Sequence, residues 1–199
     1  MAQKMGVSMR TNATFLLSFF ALTLASAAHA SRTVLPDACG DDKVHYDVEA
    51  KKDQPAPAAP ADGKAQIVFI ETLNRPSFWT GAHVSDITTR FGMDGAWVGA
   101  ARSNTYFTLD IAPGTHKLCT SVKGNKDMIA MTSFTAEAGK TYYYEFKIEP
   151  TVSHGQVMVS GGATGASTSV TLNSSFKSLD EDEGKFRIKA SALAVGTTQ

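Results

Sequence analysis

Apolar and polar residues alternate along this chain in short runs of period two, separated by turn residues, which is the pattern of half-buried β-strands. Val44, Tyr46 and Val48 alternate with His45, Asp47 and Glu49, predicting a first strand with His45 and Asp47 pointing outward. Residues 65–71 (AQIVFIE) are apolar on both faces, as a central strand requires. Further strands are predicted over 96–101 and where Phe107, Leu109 and Ile111 alternate with Thr108 and Asp110. His116, Leu118, Thr120 and Val122 then share one face, which places Cys119 on the other. A weaker run covers 131–136, and the clearest covers 141–149, with Tyr142, Tyr144, Phe146 and Ile148 on one side. Two short strands, 157–160 and 168–172, follow on either side of the flexible stretch 161–165 (GGATG).

The punctuation between these runs has its own chemistry. Asp94-Gly95 is the pair a tight hairpin turn selects, and Ala112-Pro113-Gly114-Thr115 matches a type II turn. Residues 51–63 (KKDQPAPAAPADG) hold three prolines in a span of six residues, so they form an extended linker or wrapping segment. Near the end, Asp180, Glu181, Asp182 and Glu183 place acids where a helix N-terminus favours them. Ser178 or Asp180 would cap a short helix to about Lys189, which Gly184 weakens. The sum is an all-β chain: a single β-sandwich, immunoglobulin/transthyretin-like, of about seven to nine strands with a short C-terminal helix. Its parts divide as a leader over 1–30, a first strand and Pro/Ala-rich linker over 31–64, the sandwich over 65–178, and a helix and tail over 179–199.

The leader is read from Lys4 and Arg10, the apolar run 14–25, and the small residues of Ala28-His29-Ala30. Together they predict cleavage between Ala30 and Ser31. The apolar run is too short to span a bilayer, and Pro36 and Asp37 break any lipidation pattern before Cys39, so no stable membrane insertion follows cleavage. The expected location is periplasmic or extracellular. The whole chain of 199 residues balances 19 basic against 19 acidic side chains, and the mature part keeps 17 against 19. That balance excludes the basic footprint of a nucleic-acid binder. In an oxidising compartment the two cysteines, Cys39 and Cys119, are expected to form one disulfide. If Leu118 and Val122 face the core, the N-terminal segment must then cross the outer face of that sheet.

Reactive constellations are sparse. Four histidines survive cleavage (His45, His83, His116, His154), none in the helical spacing of a zinc protease, so no metal or other cofactor is expected. No glycine pair brackets a serine as in a hydrolase elbow, and the 161–165 stretch lacks the Lys-Ser/Thr of a phosphate loop. A dispersed hydrolase site from His83, Asp86, Asp94 or His154 is the enzymatic alternative, with Ser85 standing between His83 and Asp86. Trp97 is expected in the core. Trp79, in a loop of Asn, Pro, Ser and Gly, is the candidate surface-recognition residue.

The stretches Val68-Phe69-Ile70, Met93-Asp94-Gly95-Ala96-Trp97-Val98-Gly99, Asn104-Thr105-Tyr106-Phe107, Ile111-Ala112-Pro113-Gly114-Thr115-His116-Lys117-Leu118 and Ala138-Gly139-Lys140-Thr141-Tyr142-Tyr143 resemble an exported bacterial β-sandwich family, domain of unknown function 2846. They are similar in style to PEGA modules, where a D-G-x-x-V-G hairpin precedes a P-G-x-H-x-L turn. The likeness covers roughly residues 65–150. It implies fold and export, and brings no catalytic residues. The expected function is therefore a secreted, non-catalytic module binding an envelope protein or glycan. A structural subunit assembling by strand addition is the other non-enzymatic alternative, and an unpaired sheet edge would favour it.

Overall fold

The computed structural model describes residues 35–73, 87–102, 104–122, 125–158 and 164–198. The predicted cleavage site Ala30/Ser31 and the candidates Trp79, His83, Ser85 and Asp86 lie outside the described residues. Among the described residues there are ten strands and one helix: β1 (Tyr46–Lys51), β2 (Ala65–Leu73), β3 (Thr88–Met93), β4 (Ala96–Arg102), β5 (Thr105–Ile111), β6 (Gly114–Val122), β7 (Asn125–Ala136), β8 (Thr141–Met158), β9 (Thr164–Leu179), α1 (Glu181–Lys189) and β10 (Ala192–Thr198). They form a six-stranded sheet, in the order β1-β10-β5-β2-β8-β9, and a four-stranded sheet, β4-β3-β6-β7. The all-β sandwich with a C-terminal helix is the architecture the alternation predicted.

The core lies between the sheets. Ile67 and Phe69 of β2 and Tyr144, Phe146 and Ile148 of β8 meet Phe91, Leu118 and Val122 from the smaller sheet. The Phe69 ring lies 4.9 Å from Phe91 and 5.2 Å from Phe107. β2 is apolar on both faces for a reason: Val68 and Ile70 point away from this core into a second cluster with Tyr106, Tyr143, Leu179 and Ile188, where α1 covers the larger sheet. Asp180 caps α1 by accepting from the Glu183 N–H at 2.8 Å. Gly184 costs helix propensity but lets the helix touch the sheet, since a Cβ there would stand 2.3 Å from Cγ of Tyr143.

Four expectations are corrected. β3 and β10 went unseen. β3 buries Thr89 and Phe91 on one face and Arg90 and Gly92 on the other, so it shows no polar alternation, and β10 (ALAVGTT) reads as a tail. The predicted strands 141–149 and 157–160 are one strand, β8, running through Pro150, and the predicted 168–172 is the middle of β9. Beyond Ile148, β8 has only β9 beside it among the described residues, a place where a sheet tolerates proline. Trp97 is not in the core between the sheets. It sits half-buried on the outer face of the smaller sheet, with Leu35, Ala38, Cys39, Cys119 and Ile129.

That outer face carries the N-terminal segment, as strand parity requires. Leu118 and Val122 face the core, Cys119 faces out, and Cys39 lies at disulfide distance with Cα atoms 5.2 Å apart. Gly92 leaves room for the crossing chain, because a Cβ there would meet the Ala38 carbonyl at 3.1 Å.

Candidate functional site

Three groups of polar side chains are organised by this framework, and the first contains the only histidine–carboxylate contact among the described residues. β3 and β4 are joined by the two-residue turn Asp94-Gly95, with φ of +52° and +92°, the positive values a type I′ turn needs. The turn is pinned to the start of β6. Asp94 Oδ1 accepts from the Lys117 N–H at 2.8 Å, and Asp94 Oδ2 lies 2.6 Å from His116 Nδ1. His116 Nε2 lies 2.8 Å from the Ala112 carbonyl, so both ring nitrogens face acceptors. Partial burial works against protonating His116, but the Asp94 bond, the Ala112 carbonyl and the Asp94 charge outweigh it and raise its pKa. Burial likewise opposes ionisation of Asp94, and the bonds from His116 and Lys117 and their charges outweigh it and lower its pKa. A ring held as a double donor has no lone pair to take a proton from a nucleophile or water. Its other partner is a carbonyl where a hydrolase would need a hydroxyl.

The second group is Arg90, 4% exposed, on the outer face of the smaller sheet. Its guanidinium donates to the Asp42 and Val44 carbonyls at 3.1 and 3.0 Å, to Asp42 Oδ1 and to Ser121 Oγ, and lies 4.4 Å from the Trp97 ring centroid. Trp97 Nε1 donates to the Asp41 carbonyl at 2.7 Å. These contacts bind residues 41–44 beside the cysteine pair. Their chemistry is that of a staple.

The third group lines a groove on the helix side of the larger sheet. The Pro/Ala-rich segment passes along α1 and leaves two cavities. One, of about 630 Å³, is bordered by Lys51, Lys52, Asn104, Tyr106, Ile188 and Lys189. The other, of about 460 Å³, is bordered by Pro57, Gln66, Thr141, Tyr143 and Lys185. Ala56, Ile188 and Lys189 border both. Burial raises the pKa of Tyr106 and Tyr143, keeping both hydroxyls protonated. Lys185 is paired with Glu181 at 2.6 Å, whereas Lys51, Lys52 and Lys189 enter no ion pair among the described residues.

The remaining candidates are dispersed. His45, just before β1, and Asp47 on it are both exposed, as expected. His154 is exposed far along β8, with Nδ1 3.2 Å from Thr168 Oγ1. The acids 180–183 begin α1. No group of three or more His, Cys, Asp or Glu side chains among the described residues could hold a metal ion, and no described helix is long and apolar enough to cross a membrane. Arg90, Tyr106, Tyr143 and Lys189 were missed by sequence reasoning. Only the prolines at 55, 57 and 60 signalled that an extended segment would wall a groove. Comparison with protein-family models, curated proteins and solved structures finds no match to this chain.

Proposed function

We propose that this chain is an exported, non-catalytic β-sandwich that binds a component of the bacterial envelope, a glycan or a protein segment, in the groove between residues 50–60 and α1. The observation that carries this reading is the groove itself: two adjoining cavities with tyrosines at the base and three lysines outside any described ion pair at the rim. Concave sites with an apolar floor and a few polar groups are where proteins take ligands. The lysine rim favours a ligand bearing anionic groups, such as an acidic glycan. Of the residues of the hydrolase alternative, Asp94 is engaged by His116 and Lys117, while His83 and Asp86 lie outside the described residues. Likeness to an exported family with structural turn motifs is consistent with the same reading.

Co-sedimentation with purified peptidoglycan and other isolated envelope glycans tests it. Ala56 is exposed and borders both cavities, so Ala56→Trp fills the groove without touching the core. The wild-type protein should bind and the variant should not, at equal melting temperature. Equal binding by both would remove the groove from the argument. An intact mass beginning at Ser31 in the exported fraction tests the compartment.

Assembly by strand addition is favoured by a separate observation. β9 ends the larger sheet, and nothing among the described residues pairs with its outer edge.

A further inference from the structure

Residues 150–176 contain no Asp, Glu, Lys or Arg. In the fold this run makes most of the β8–β9 hairpin. Ile148 is the last residue of β8 with a described partner in β2, and residues 153–157 and 168–171 are exposed. The ladder continues through sixteen pairs, from Tyr143 opposite Leu179 to Met158 opposite Thr164, with no register shift. β9 is therefore a long, regular edge strand.

Natural sheets guard such edges with charges, prolines, bulges or short length. The opposite edge of the same sheet obeys this rule, since β1 has six residues and three of them, Asp47, Glu49 and Lys51, are charged. β9 has sixteen residues, no proline and no bulge. Its single charge, Lys177, sits near the base, 4.0 Å from Glu145 and 3.7 Å from Glu183. An edge left this open is built to be covered.

We propose that the occupant is a second copy of this chain, with β9 pairing antiparallel to β9 about a two-fold axis at Val170. The charge-free part of β9, residues 164–176, is centred on residue 170. A two-fold axis there sets each residue opposite the one equally far on the other side, and a C2 contact of this kind is self-complementary. Ser169 meets Thr171 and Ser167 meets Asn173 on one face, where hydroxyl and amide groups bond across strands. On the other face Val170 meets its own copy and Thr168 meets Leu172. That second face is the core-facing side of the sheet, where Val170 is 40% exposed. No like charges face each other, and the two larger sheets become one continuous sheet. The proposal deepens the strand-addition reading and is independent of the groove.

Sedimentation of the full exported chain over a hundredfold concentration range tests it. Wild type should be a dimer. V170K and V170E should each be monomeric, because like charges then meet at the axis, and an equimolar mixture of the two should dimerise again. Since position 170 is exposed, both variants should keep the wild-type circular dichroism and melting temperature. A photoactivatable residue at Thr168 should give an adduct of twice the chain mass. A wild-type monomer at every concentration, or a V170K dimer as tight as wild type, overturns the self-pairing. If the monomer instead gives a crosslink to a different envelope protein that V170K abolishes, self-pairing fails while strand addition stands. With no V170K-sensitive contact of either kind, both fail.

Discussion

The Asp94–His116 contact makes the stability of this protein depend on pH in a direction that can be worked out. His116 has a folded pKa raised above its ordinary 6.5. A raised pKa means that the folded state binds the proton more tightly, so the stabilisation is complete below the unfolded value and is lost as pH rises through the folded one. Asp94 acts in the opposite sense, its contribution being present above 3.8 and lost as pH falls through its lowered folded value. A hydrogen bond to a charged group stabilises by about 1.5–3 kcal/mol and an exposed ion pair by about 0–1 kcal/mol. The His116 side chain is 12% exposed but that of Asp94 is 46% exposed, so solvent screening brings the expectation to about 1–1.5 kcal/mol. For a domain of this size that corresponds to a fall in Tm of about 3–5 °C between about pH 5.5 and about pH 8.5. Asp94→Asn is the informative variant. Its amide oxygen can still accept from Lys117 N–H, and its NH₂ can donate to a neutral His116 whose Nε2–H serves the Ala112 carbonyl. The variant should lose stability at the acid end of the window and give a nearly flat curve. Thermal unfolding followed by circular dichroism at fixed ionic strength reads both effects. A wild-type Tm that holds or climbs across the window would refute the reasoning, and so would an Asp94→Asn curve that falls as steeply as wild type.

Gly184→Val drives a side chain into the Tyr143 ring and should cost about 2–3 kcal/mol, read as a lowered urea midpoint; an unchanged midpoint would show that α1 does not pack as described. Arg90→Met leaves the Asp42 and Val44 carbonyls without their donor and should cost about 2–3 kcal/mol, with new tryptic cleavage at Lys43 in the otherwise folded protein. A Cys39–Cys119 bond closes a loop of 80 residues, and breaking it should lower stability by up to about 4.5 kcal/mol on chain-entropy grounds. Reductant should shift the unfolding midpoint accordingly, and two alkylatable thiols in the unreduced, denatured protein would show that the bond is absent.

Local rules made much of this fold legible. Period-two alternation located β1, β5, β6 and the first half of β8, because each has one face in the core and the other toward water or a covering segment. Parity carried further than propensity: knowing that Leu118 and Val122 point inward was enough to send Cys119 outward and route the N-terminal segment across the smaller sheet. The failures occur where burial does not follow polarity. β3 hides an arginine on its outer face, one of whose terminal nitrogens donates to carbonyls 46 and 48 residues away, and no local pattern announces that. Size and a place in a strand predict Trp97 in the core, yet its indole N–H needs a partner, and the Asp41 carbonyl supplies one on the outside. The groove was invisible for the same reason, since it exists only where a proline-rich segment and a helix from the far end of the chain lie side by side.

Asp94-Gly95 and Pro113-Gly114-Thr115-His116 read in sequence as two independent turns, and the structure makes them one unit. Gly114, at φ +135°, turns the chain so that His116 stands over its own turn carbonyl and against the carboxylate of the other hairpin. Aspartate at the first position of the turn accepts from both Lys117 N–H and a protonated ring, whereas asparagine there would hold both only with the ring neutral. The spacing from the first glycine to the histidine then follows from how far β4 and β5 run before the chain returns. Folding alone therefore accounts for the motif, and a chain that carries it advertises an architecture and leaves its ligand unspecified. On the proposed reading, specificity would reside in what that lock does not explain: a proline-rich segment lying beside a helix, and a hairpin whose outer edge, residues 164–176, carries no charge.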